Sequence, residues 1–450
     1  MLKYTCLFLL IGIGVRAQDL SGYVIDFDTK KPIPEVNVYL KRQRIGTATL
    51  SNGHFTIPLQ KHLNDTDSLQ ISHLNYYPIT ISYNTFKTQN EIVYLHQKTE
   101  ALAPVTLKNK RHVFQSLPYK QLKSMPVGVS NFGSVNIDSK IYVVGGDASF
   151  LEDIGKKALV KMESKADASF ADYLKELKFD TTWETYTKKI QVYDITTDSW
   201  TVATNNLKER AYHTVQHYKG NLYIMSGKRL SRNKKFEYLH TDIDIFNIND
   251  QTTTTDYTNP HQAVNPLSFI FNNNIFLLGG AVKKLKNGNK HYTDSAHMYT
   301  INTGLWYQLK ALPNPDLLCG VLLEQNIFAL SNNSDRSLTQ INIYNITTGT
   351  CSKIGNLPVC LKSPAITSQQ DTLFILGDKT LFTYNTKTQL LNTYTLNLEL
   401  QAAKIHVYNN KLYIIGGFTE NEFSRSPSSK VYCIDINEFK NTSIEASKTL

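Results

Sequence analysis

The sequence predicts an all-β protein: a small N-terminal β-sandwich, then a six-bladed β-propeller with a helical insertion in blade one. Three observations carry this expectation. A short apolar phrase recurs six times, usually ending in glycine. Residues 19–100 are written in a different style of short strands and turns. The first copy of the phrase is followed by about forty unrepeated residues.

The chain has 450 residues, 41% hydrophobic and 19% charged, a globular composition with length for more than one domain. Its start reads as a leader rather than as part of the fold. Lys3 gives a positive n-region, CLFLLIGIGV (6–15) an apolar core too short to span a membrane, and Val15-Arg-Ala17 a cleavage site. A signal peptide over 1–17 and a mature start at Gln18 are expected. The mature protein is then exported, to the periplasm, the outer-membrane surface or the medium. Cys6 lies too early for a lipoprotein cleavage site, and no later run suits a transmembrane helix. Loss of Lys3 and Arg16 lowers the formal charge from +10 to +8. No aromatic-interleaved basic stripe accompanies that excess, so nucleic acid is not an expected partner. Cys319, Cys351, Cys360 and Cys433 have no metal-ligand spacing; they read as buried thiols, with a Cys319–Cys360 bridge conceivable.

Residues 19–100 hold about seven short strands. Val36, Val38 and Leu40 alternate on one face and Phe55 and Ile57 on another, with Ser51-Asn-Gly53 as a tight turn. Gly22 and Val24, the run KPIPEVNVYL, Gly46-Thr-Ala-Thr49 and Asn52-Gly-His-Phe55 resemble the carboxypeptidase-regulatory-like domain, a transthyretin-like sandwich. That resemblance implies an accessory domain without peptidase chemistry. Such domains also head outer-membrane TonB-dependent receptors, which implies a cell-envelope partner. Residues 101–115, with Lys108-Asn-Lys-Arg111, read as a linker.

The propeller is expected over 113–450. Its phrases are marked by Tyr142, Tyr223, Phe276, Phe328, Phe374 and Tyr413, separated by 81, 53, 52, 46 and 39 residues. All but the first separation suit propeller blades. Each phrase is apolar on both faces, as a strand pressed between neighbouring blades must be. A second signature follows it. Tyr193 precedes Trp200, and Tyr299 precedes Trp306, each by seven residues, while the other copies are degraded. Gly-Gly, an aromatic and Trp at this spacing, with Glu209-Arg-Ala-Tyr-His213 between blades, resemble the Kelch repeat. VFQSLPYKQLKSMP (113–126) is similar to the blade exits LKALP and IGNLP, whereas little strand-like sequence follows VYCIDIN. The N-terminal strand is therefore expected to complete blade six and seal the ring.

Loops between the second and third strands of a blade share a face with the blade-to-blade connections. On that face lies the insertion 147–187. Phe150, Leu151, Ile154, Ala158, Leu159 and Met162 fall on one helical face, and Phe170, Tyr173, Leu174 and Leu177 on a second. The neighbouring loops KRLSRNKK (228–235) and KKLKNGNK (283–290) carry no acid. The expected binding residues are Arg210, Tyr212, His213, Lys228, Arg229, Lys283 and Lys284, with His261, Asp316, Lys362 and Lys404 in comparable connections. The bland alternative is an acidic insertion docked as a cap beside solvated lysines.

No Gly-rich phosphate loop, Ser elbow or zinc spacing occurs, and Asp242 with Asp244 lacks a third metal ligand. No catalytic residue, cofactor or metal is assigned. The expected function is an exported, non-catalytic binding protein with a protein or glycan partner on the loop-rich face. Two alternatives stay open. The Kelch resemblance admits a carbohydrate-active enzyme such as a sugar mutarotase or epimerase, which would need paired acid and base groups around a pocket. The first domain's resemblance admits an accessory partner of a TonB-dependent receptor.

Overall fold

A computed structural model describes residues 19–59, 61–98, 113–165, 167, 169–178, 181–204, 207–285, 289–333 and 335–450. The expected signal peptide and most of the expected linker lie outside these residues. The chain divides into two compact units, one up to residue 109 and the other from residue 110.

The first unit is a seven-stranded sandwich. One sheet orders His54–Pro58, Asp19–Asp26 and Ile92–Leu95; the other orders Ile45–Ala48, Asn37–Leu40, Ser68–His73 and Tyr76–Ser82. Period-two alternation builds its core. Val24, Val38, Leu40, Phe55, Ile57, Leu69 and Ile71 all point between the sheets and are buried. A short helix, Tyr83–Thr88, sits where the sequence shows only strands. Ser82 caps it, its hydroxyl accepting from the Thr85 N–H, and it delivers Phe86 to the core. Gly22 is the complementary residue: a Cβ there would fall 2.5 Å from the Phe86 ring.

The second unit is a closed ring of six antiparallel sheets. Each blade runs outward from an inner strand: Gly133–Ile137, Thr214–Tyr218, Leu267–Phe271, Leu317–Leu323, Ala365–Gln369 and Lys404–Tyr408. Every inner strand touches the next, and the sixth touches the first. The repeated phrase is the second strand of each blade. Its last four residues are buried in blades one, two, three, five and six, because both faces meet neighbouring blades. The glycines that follow belong to this packing. Gly145 sits at φ 57°, and a Cβ there would come within 2.6 Å of the Arg210 carbonyl oxygen.

The aromatic–Trp pairs fasten the outer strands. Tyr193 and Trp200 are cross-strand partners with rings 5.0 Å apart. The Tyr193 hydroxyl donates to Asp198 (2.7 Å), and the Trp200 indole donates to the Lys123 carbonyl (2.9 Å) on the segment entering from blade six. In blade three the Trp306 indole donates likewise to Thr258 on the exit from blade two (3.1 Å). The degraded copies keep strand, turn, strand without the Trp, and in blade four the Tyr344 hydroxyl reaches the Asn314 carbonyl on the exit from blade three (3.5 Å).

Closure follows the expected route. Lys120–Leu122 pairs antiparallel with Val431–Asp435, in register Val431↔Leu122, and forms the outermost strand of blade six. One expectation is corrected: Ala446–Thr449 follows the last blade and adds a fifth strand to blade five against Leu390–Thr395. Those four residues are all exposed, so backbone pairing holds them, helped by the Ser447 hydroxyl donating to Asn392 (2.7 Å).

Candidate functional site

The loop-rich face is built from ordinary blade connections plus four long second-to-third strand loops. In blade one, Phe150 and Leu151 do not start a helix, contrary to the expected face. They are extended: Phe150 bridges Trp183, and Leu151–Glu152 pairs with Ser424–Arg425 of the blade-six loop. The helix begins at Ile154, because Asp153 accepts from the Lys156 N–H and starts the turn there. A second helix, Phe170–Glu176, has a Ser169–Asp172 capping box. The insertion leans on blade six through the pairing above, the Asp153 N–H to Phe423 carbonyl bond (2.7 Å) and the Lys156–Glu422 pair (3.3 Å). Its base also reaches the blade-two loop, where the Tyr186 hydroxyl donates to Glu237 (2.7 Å). The simple picture of an acidic cap on basic loops is thus replaced by a segment tied to both neighbours.

The blade-two and blade-three loops are hairpins, Lys228–Leu230 with Glu237–Leu239 and Ala281–Lys284 with Lys290–Tyr292. Strand alternation splits their basic residues between two sides. Lys228, Lys284 and Lys290 line a cavity over the central channel, the last two exposed toward it, whereas Arg229 and Lys283, also exposed, lie outside its wall. Arg229 lies instead over the Tyr238 ring, 5.0 Å from its centroid.

That cavity has a volume of about 620 Å³ and draws on all six blades, with Ser134, Thr214, Ser268, Cys319, Ala365 and Lys404 among its lining residues. Of the expected site, Tyr212, His213, Lys228 and Lys284 line it. Tyr212 adopts φ 60°, its hydroxyl donates to Asp147 (3.1 Å), and Lys228 lies 4.3 Å from its ring centroid. His213 is almost wholly buried, in space left by glycines. A Cβ on Gly133 would come within 2.8 Å of its Nε2, and one on Gly227 within 2.7 Å of its Cβ. Burial, reinforced by the charge of Arg210, pushes its pKa well below the usual histidine value.

Arg210 is a correction. It is 1% exposed and lies outside the cavity wall. Its guanidinium donates to Asp242 (2.8 Å) and Asp244 (2.9 Å), and to the carbonyls of Ser226 and Asp242. Lys208 and His240 also meet Asp242. The Asp242–Asp244 alternation noted in the sequence therefore holds a buried arginine. His261 is buried as well, with its Nε2 against the Gly279 carbonyl and its Nδ1 against His297. Asp316 pairs with Arg336 (3.3 Å).

Four cations in the wall were missed or underweighted. Lys404 and Lys362 read from sequence as generic junction residues, and Lys290 and Arg425 were not singled out. Lys404 is reachable from the channel yet enclosed by the inner strands. That enclosure lowers its pKa from the ordinary amine value, to an extent channel water limits. Arg425 rests on Phe418, 3.6 Å from the ring centroid. The wall holds one carboxylate, Glu237, which is paired with Lys228. Burial raises its pKa, but hydrogen bonds from Lys228 and Tyr186 outweigh this and hold it below the usual value. Among the described residues no cluster of His, Cys, Asp and Glu could hold a metal ion, and no helix is long and apolar enough to cross a membrane. All four cysteines from Cys319 onward are free. Cys351 and Cys360, expected buried, are exposed.

Comparison with known proteins adds two family matches. Residues 20–107 match the CarboxypepD_reg-like domain, and residues 402–440 match the Kelch motif. A search of curated proteins returned no match. Among solved structures, one described as "Structure of YjhT" is similar at 12% identity and a TM-score of 0.49, covering 68% of this chain and 95% of that one. The chain thus carries a match to the CarboxypepD_reg-like domain ahead of a six-bladed β-propeller whose last blade matches the Kelch motif.

Proposed function

We propose that the protein is an exported binding protein that takes its ligand on the loop-rich face of the propeller. The cavity carries this reading. It opens where the long loops stand, it is assembled from all six blades, and its volume suits a small ligand or the end of a larger one. A rigid ring with adaptable hairpins around one recess is a recognition architecture. The apolar N-terminal run and its cleavage site support export, and the CarboxypepD_reg-like domain supports a docking role at the cell envelope.

The wall chemistry favours binding over turnover. A sugar mutarotase or epimerase would need an acid and a base poised across the recess. Glu237 is engaged by Lys228 and Tyr186, and burial keeps His213 neutral. Two measurements test the reading. Mass spectrometry of the natively expressed protein should find a mature start at Gln18; an unprocessed chain overturns export. Hydrogen exchange with and without envelope extract should show protection at 212–216, 264–268 and 402–406. Protection confined to residues 19–98 overturns the assignment of the face.

A further inference from the structure

Six cations line the cavity: Lys228, Lys284, Lys290, Lys362, Lys404 and Arg425. Glu237 is the single carboxylate in the same wall, and it is paired with Lys228. The other five have no carboxylate within ion-pair distance among the described residues. They come from blades three, five and six, so the closed ring, not a basic run of sequence, gathers them.

Ordinary surface lysines spread into solvent and screen one another through water. These converge on a recess. Lys290 is exposed toward the recess, yet partial enclosure by the wall, and then Lys228, hold its pKa below the usual value, with Lys284 and Arg425 adding to the effect against Asp316. Mutual repulsion of that kind, in a partly desolvated pocket, is relieved by a counter-charge from outside. Arg425 is suited to supply donors in a plane. Phe418 covers one face of its guanidinium and leaves the edge N–H groups for a ligand.

We infer that the cavity is a site for a small polyanion, a molecule carrying two or more carboxylate, sulfate or phosphate groups, held by Lys284, Lys290, Lys362, Lys404 and Arg425. This deepens the binding function proposed above and rests on it. The recess admits a ligand of disaccharide size or below. Multiple charges are required because the cations stand on three separate blades. Arg229 and Lys283, on the outer sides of the same hairpins, take no part.

Titration calorimetry on the full chain tests this with four probes: citrate, pyrophosphate, digalacturonate and, as a neutral control, lactose. At least one anion should bind, with affinity falling as salt rises, and lactose should not. Citrate or pyrophosphate without digalacturonate points to a metabolite or phosphate ligand; digalacturonate above both points to an acidic glycan. Lys290→Gln combined with Arg425→Gln should weaken the bound probe by about tenfold or more, as loss of two charge contacts requires. Its thermal midpoint should fall by no more than loss of the Arg425–Phe418 contact explains, a few degrees, and Lys290→Arg should retain binding. Arg229→Gln with Lys283→Gln removes the same charge outside the wall and should change affinity less than about twofold. Equal loss in both pairs would mean diffuse surface attraction and overturn the site. Failure of every anion also overturns it. If envelope extract still protects the cavity in that case, the binding function stands without the anion; if it does not, both fall.

Discussion

Two charged clusters meet at blade two, and they are resolved in opposite ways. Arg210 sits among Asp242, Asp244 and two carbonyls, almost wholly out of water. Lys228, less than twenty residues later, borders a recess where five further cations have no carboxylate partner among the described residues. The first cluster finds its counter-charges within the chain, although the Arg210 Nε has no hydrogen-bond partner among the described residues. The second, apart from Lys228 and Glu237, is complete only with something added. Partner count, rather than charge or residue type, therefore separates a charge that holds the ring from one that faces a ligand.

The largest effect expected from that contrast is at Arg210. Arg210→Met leaves two aspartates buried beside each other and should cost about 3–5 kcal/mol. Thermal denaturation should show a large drop in midpoint, and adding Asp242→Leu and Asp244→Leu should restore part of it. A midpoint shift within about 1 °C would break the contrast, since a loss of even 1 kcal/mol moves the midpoint further.

Histidines escape both solutions by giving up the proton. Burial lowers the His261 pKa from 6.5 to about 4, an effect the Gly279 carbonyl only partly offsets and His297 extends. The unfolded chain binds that proton near pH 6.5, and the folded chain binds it only near pH 4. The stabilisation is complete above pH 6.5 and is lost as pH falls between these values, on the order of 3 kcal/mol. Urea midpoints from pH 7 to pH 4 should fall, and His261→Gln should flatten that slope. An unchanged slope would show that His261 is not the group titrating.

Smaller effects sharpen the other side. Lys290→Gln removes a charge repelled by its neighbours, so stability should change by less than about 0.5 kcal/mol. A loss above about 1 kcal/mol would mean that Lys290 holds structure after all. Smallest of all, the exposed Lys156–Glu422 pair should contribute at most a few tenths of a kcal/mol. Lys156→Ala should leave hydrogen exchange at Leu151–Glu152 unchanged, because backbone pairing with Ser424–Arg425 fixes that contact.

Features written as repeated local pattern were legible in the sequence. The six phrases, the Tyr–Trp spacing and the strand at Lys120–Leu122 all follow from apolar periodicity and turn residues. Ala446–Thr449 was not legible, because an exposed edge strand needs no apolar alternation to pair its backbone. Arg210 was read as a binding residue because its partners lie 32 and 34 residues away, where spacing on a line says nothing of contact. The cationic wall was half visible for the same reason. Lys228 and Lys284 stood in basic runs, whereas Arg425 and Lys404 were isolated letters until ring closure brought them to one recess. The start of the first insertion helix was misplaced because Phe150 and Leu151 continue its apolar period while serving as strand residues.

The seam of the ring sets an order of events. Lys120–Leu122 leaves the ribosome before any blade, yet its hydrogen-bonding partner, Val431–Asp435, belongs to the last. Until that partner arrives, the early strand is an unmatched edge, and blade six has no outer wall. Such distant pairing slows assembly, since the intervening chain must be closed into a loop first. Its reward is an unzipping problem: neither end of the ring can peel away without parting a strand that the opposite end supplies.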